Sequence, residues 1–174
     1  MKFVGNYKEW ITPELLDALL NNDGDVMPVY QPEKWRGRPE YDAARIAIEE
    51  AGYPEQNQTF CQYVKDSECL KHLDIKMPIE INTPNYHWWI IKLKPGQMQP
   101  MHFDPHITQV KNCTRWTMPL LDYKPGHVFV YDDYLLTDYK AGDLFVWPDP
   151  MIYHGVCNIS MHTRLTLQIS AYEG

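Results

Sequence analysis

From Pro78 onward, β-branched and aromatic residues alternate with turn signals every eight to fifteen residues, and a chain written this way folds into a sandwich or a barrel. The turns are Lys94-Pro95-Gly96, Lys124-Pro125-Gly126, Lys140-Ala141-Gly142-Asp143 and Asn158-Ile159-Ser160. Between them the spacing predicts strands over residues 86–93, 99–103, 114–122, 127–131, 144–147, 155–158 and 164–172. In the last of these, Leu165, Leu167, Ile169 and Ala171 fall on one face, and Arg164, Thr166, Gln168 and Ser170 on the other. One face is core, and the other looks into something polar.

The first 75 residues carry helical signals instead. Thr12-Pro13-Glu14 ahead of Leu15, Leu16, Leu19 and Leu20 predicts a helix capped by Thr12, opened by proline and closed at Asn21-Asn22-Asp23-Gly24. A second helix is expected over residues 40–51 and a third over residues 59–73. Residues 24–39, with Pro28, Pro32, Pro39 and two glycines, read as a long surface connection. At 174 residues and 44% apolar, the chain fits one domain with a real core. The expectation is mainly β with N-terminal helices: a helical support region over 1–78 and a β core over 79–174.

Sixteen Lys and Arg against 23 Asp and Glu leave a net charge of −7, which argues against bulk contact with nucleic-acid phosphates. A small-molecule or peptidyl partner is expected instead. No apolar run approaches the roughly 20 residues of a membrane helix, and the start, Met1-Lys2-Phe3-Val4-Gly5, lacks the marks of a signal peptide. The expected location is the cytoplasm, with no membrane partner. Cys61, Cys69, Cys113 and Cys157 show no Cys-X-X-Cys spacing and are read as free thiols.

His102-Phe103-Asp104 is the first chemical clue, because residues two apart in an extended backbone point to one side and reach one ion together. His154 is the second, far enough along the chain for the strands to go round a small barrel and return. Two imidazoles and one carboxylate on one face of an ion are the ligand set of non-haem Fe(II) oxygenases. Arg164 is the third, on the polar face of the last strand, where a guanidinium is costly unless an anion meets it. Its natural partner is a dicarboxylate, to which Thr166 on the same face adds a hydroxyl. Plainer readings stand beside these. His102 and Asp104 also suit a hydrogen-bonded pair in a turn, Arg164 an ion pair with Asp122 or Asp143, and Arg115 a surface or salt-bridge role. His106 suits a solvated loop, and His72, His87, His127 and His162 read as structural or exposed. Of the six tryptophans, Trp88, Trp89, Trp116 and Trp147 read as core packing.

On these residues, positions 88–172 resemble the double-stranded β-helix, the jelly-roll or cupin-like barrel, of the Fe(II)/2-oxoglutarate-dependent dioxygenases. The resemblance covers about half of the chain. It places His102, Asp104 and His154 on the metal triad, and Arg164 on the basic residue that holds the distal carboxylate of 2-oxoglutarate. Pro100-X-His102, Thr114-Arg115-Trp116 and the Gly142-Asp143 turn are similar to aspartyl/asparaginyl β-hydroxylases, which suggests Arg115 as a contact to the metal-proximal carboxylate. Those enzymes have glycine where this chain has Asp104. Prolyl 4-hydroxylases, another similar branch, use lysine at the position of Arg164. The resemblance implies Fe(II), 2-oxoglutarate and dioxygen as cofactor and cosubstrates, hydroxylation as the reaction, and Phe103 and Trp147 as an apolar shield. Two rivals remain. A cupin-type metalloprotein generally asks for a glutamate among its ligands, and there is none from Ile81 to Tyr172. A non-catalytic β-sandwich would use Arg164 to grip some anion.

Overall fold

The computed structural model describes residues 1–28, 46, 50–52, 59–102, 104, 111–147, 149 and 151–173. Its strands are β1 (Lys2–Asn6), β2 (Asp25–Pro28), β3 (Thr59–Tyr63), β4 (Tyr86–Leu93), β5 (Met98–His102), β6 (Lys111–Pro119), β7 (His127–Tyr131), β8 (Tyr134–Leu135), β9 (Asp143–Val146), β10 (His154–Asn158) and β11 (Arg164–Glu173). The α-helix α1 (Pro13–Asn21) and two 3-10 turns, Lys8–Trp10 and Glu68–Leu70, complete the elements among the described residues.

The strands form two antiparallel sheets, one ordered β1-β9-β6-β11-β4-β3-β2 and the other β5-β10-β7-β8. From β4 onward the chain passes back and forth between them. The first strand of this series, β4, lies beside the last, β11, and the second, β5, beside the last but one, β10. Such nested pairing is a jelly roll, the form that the resemblance implied for the sandwich or barrel expected from the turn spacing.

The N-terminal expectations need correction at two places. Residues 59–63 are a strand and not part of a third helix, because β3 is paired on both sides: Cys61 lies opposite Val26 of β2 and Lys92 of β4. Residues 25–28 are likewise a strand within the expected surface connection. The second helix, over 40–51, lies almost wholly outside the described residues. Helix α1 is as expected, with the Thr12 hydroxyl accepting from Leu15 N at 3.2 Å.

Both faces of the large sheet are covered at its centre, around β4 and β11. On the outer face, Leu15, Ala18 and Leu19 of α1 pack with Trp88, Ile90, Met118, Leu165, Leu167 and Ile169, each side chain worth roughly 1.5–3 kcal/mol when fully buried. The buried Lys92 ammonium ties α1 to β4, donating to the carbonyls of Leu19 (2.9 Å), Leu20 (3.1 Å) and Asn22 (2.9 Å) at the helix end, where a cation is favoured. Between the sheets, Ile91, Leu93, Phe129, Tyr131, Trp147 and Val156 form a second cluster. The polar face of β11 points into this inter-sheet space, alongside the site.

Candidate metal centre and anion pocket

β5 ends on His102 and β10 begins on His154, and the pairing of the two strands sets these residues directly opposite each other. Their rings lie 4.3 Å apart, centre to centre. Gly155 permits this approach, since a Cβ there would stand 3.0 Å from the backbone nitrogen and 2.9 Å from the sulfur of Met101. Asp104, two residues past His102, brings Oδ1 to 3.6 Å from His102 Nε2 and Oδ2 to 3.6 Å from His154 Nε2. One ligand atom from each of the three lies within 4.8 Å of the others. Two imidazole nitrogens and one carboxylate oxygen so gathered fit a first-row divalent metal.

The electrostatics suit that role. Burial, with His102 beside it, pushes His154 down to about 3, so its ring is neutral and can offer a lone pair. His154 Nδ1 lies 3.1 Å from the carbonyl of Ile152, which fixes the hydrogen there and leaves Nε2 facing the aspartate. The Trp147 ring meets His154 edge to face at 4.7 Å.

Arg115, on β6, is almost fully buried and its guanidinium is paired with Asp104. It lies between two indoles, 4.4 Å from the centre of Trp147 and 5.4 Å from that of Trp89. Arg164, 3% exposed, lines the same cavity as the triad, together with Trp89, Gln99, Phe129 and Gln168. The cavity is narrow, about 40 Å³. Burial disfavours the Arg164 charge, and its Nε has no hydrogen-bond partner. Asp122 and Asp143, the alternative ion-pair partners, instead accept from the backbone N–H groups of Ala141 (2.9 Å) and Lys140 (2.7 Å). Thr166 Oγ1 and Gln168 Oε1, on the same face as Arg164, are also buried without partners. Buried polar atoms are normally satisfied, so this row offers hydrogen-bonding groups to a polar partner.

The structure therefore brings His102, Asp104, His154 and Arg115 together, with Arg164 in the same cavity and Thr166 beside it in sequence register. His106 and Phe103 lie outside the described residues. Sequence reasoning missed Gln99, whose Nε2 lies 3.2 Å from His102 Nε2. Its position three residues before His102 was the only available signal. All four cysteines are free. No described helix is long and apolar enough to cross a membrane.

No family model and no curated protein matches the chain. Solved structures of cupin type are similar to it. An RmlC-like cupin from Desulfovibrio desulfuricans is 18% identical, with a TM-score of 0.42, over 68% of this chain and 86% of that one. KdgF from Halomonas sp. is 11% identical, with a TM-score of 0.41, over 66% and 80%. A sugar phosphate isomerase of the cupin superfamily from Silicibacter pomeroyi is 15% identical, with a TM-score of 0.39; the match takes in 53% of this chain and spans only 54% of that one. The architecture rests on the strand pairing described above.

Proposed function

We propose that the protein is a non-haem Fe(II)- and 2-oxoglutarate-dependent oxygenase that hydroxylates an amino-acid side chain, a peptide or a small metabolite. The observation that supports it is a single cavity lined by both a two-imidazole, one-carboxylate cluster and a buried guanidinium. Arg115 and Arg164 outnumber the one carboxylate, Asp104, in that lining, so the cavity is positive, and more so once a divalent metal is counted. A dianion is the guest that offsets such a charge.

His102, Asp104 and His154 would hold the iron, which with a bound 2-oxo acid supplies the reduction of dioxygen and the oxidation of an unactivated C–H bond. The chain's own contribution is binding and orientation. Arg164 takes the distal carboxylate on its planar fork, and the Thr166 hydroxyl adds a hydrogen bond. Arg115 takes the proximal carboxylate. A cavity of about 40 Å³ holds little more than a water or two, so a five-carbon diacid enters only as Arg115 swings away from Asp104. Trp147 keeps the His154 ring in place and water away from it.

The small cavity favours a second reading, a cupin-like metalloprotein that uses the triad without a keto acid. One experiment separates them: anaerobic addition of Fe(II) and then 2-oxoglutarate, followed by visible absorption, in wild type and Arg164→Ala. A metal-to-ligand charge-transfer band that weakens in the variant is expected. Tight Fe(II) binding with no band would transfer the site to the second reading, and no Fe(II) binding would leave a non-catalytic binding module.

A further inference from the structure

Behind Arg164 stands a hydrogen-bonded relay with a direction. His127, on β7, and Tyr139, between β8 and β9, are both buried. The Tyr139 hydroxyl lies 3.2 Å from His127 Nδ1, and His127 Nε2 lies 3.2 Å from the carbonyl of His162. Tyr139 also neighbours the Arg164 guanidinium, whose charge it favours. The His162 carbonyl is itself held, accepting from Asn158 Nδ2 at 2.8 Å and from Ser160 Oγ at 2.9 Å.

The proton positions follow from what each atom can do. A carbonyl oxygen only accepts, so His127 carries its hydrogen on Nε2. Burial, with Arg164, His162 and Lys124 as the nearby charges and Tyr123 and Tyr139 as the other facing groups, keeps the ring neutral, so Nδ1 has a lone pair and accepts the Tyr139 proton. The Tyr139 oxygen is left to accept from Arg164. Remove the Nδ1 acceptor and the hydroxyl proton is free to turn toward the guanidinium, donor against donor.

We infer that His127 is a positioning residue of the anion pocket: acting through Tyr139, it sets the direction in which Arg164 presents its fork to a carboxylate. This rests on the reading of Arg164 as the group that holds the distal carboxylate.

Isothermal titration of the full chain loaded with Mn(II) tests it, with 2-oxoglutarate and pyruvate as probes. Pyruvate has the same 2-oxo acid head and lacks the distal carboxylate. Tyr139→Phe and His127→Phe each weaken 2-oxoglutarate binding about five- to tenfold, the worth of one hydrogen bond, and leave pyruvate unchanged. The double variant is no weaker than either single one, because both break one chain. His127→Asn, whose amide oxygen falls near the Nδ1 position, restores most of the affinity. A merely structural role shifts both probes or neither, so folded variants that keep the wild-type ratio overturn the relay alone. Tyr139→Phe, which removes one oxygen, carries the test should the His127→Phe chain not fold. A wild type that binds neither probe, or both equally, overturns the reading of the pocket and the relay with it.

Discussion

The two faces of β11 are buried to the same degree and made of opposite chemistry. Outward, Leu165, Leu167 and Ile169 lie against the α1 layer at 1%, 0% and 0% exposure; inward, Arg164, Thr166 and Ser170 are as well hidden at 3%, 1% and 0%. The outer face gains free energy from every apolar group removed from water. Its inner counterpart loses it, since each buried polar atom without a partner costs about 1–3 kcal/mol. A strand carrying both uses one side for the fold and, on the proposed reading, the other for a guest.

The comparison breaks most visibly on the apolar side. Leu167→Ala lowers the unfolding free energy by about 3 kcal/mol in urea titration, with 2-oxoglutarate affinity unchanged. Arg164→Met does the reverse: stability stays level or rises by about 1 kcal/mol, while 2-oxoglutarate binding falls on the order of a hundredfold. A loss of more than about 2 kcal/mol in that variant would make Arg164 part of the scaffold. Thr166→Val is smaller, a gain of about 0.5–1 kcal/mol in thermal denaturation with roughly threefold weaker binding of the diacid.

The smallest effect is a matter of pH. His127 is held below its ordinary value near 6.5 chiefly by burial, so the unfolded chain binds its proton more readily than the folded one. Its contribution is whole above about pH 6.5 and shrinks as the pH falls toward the folded value. The stability difference between wild type and His127→Asn therefore narrows from pH 7.5 to pH 5. A gap that stays constant would mean that the ring does not titrate between the two states.

The barrel was legible because its signals are local. The Lys-Pro-Gly turns and the alternation in residues 164–171 act over a few residues, and β4, β7, β10 and β11 fall within a residue or so of where they were expected. β3 was misread because Phe60, Cys61, Tyr63 and Val64 have helical spacing, whereas its conformation is set by partners distant in sequence. β1 is largely exposed and gains its hydrogen bonds from β9, more than a hundred residues away, so nothing in Lys2–Asn6 announces it. The site shows the same division. His102 and Asp104 lie two residues apart at the end of β5 and could be read from spacing, while Gln99, Tyr139 and the buried His127 acquire their surroundings only when the sheets close.

The pairing of Arg115 with Asp104 gives the centre a resident cation of its own. A carboxylate buried beside two imidazoles would otherwise have to be protonated, or would repel its neighbours' lone pairs, whenever the site is vacant. With the guanidinium in place, loading a metal becomes an exchange of one cation for another, and its affinity is discounted by the work of releasing the first. The vacant centre thus stays electrically balanced, and it would surrender a metal more readily than three bare ligands would.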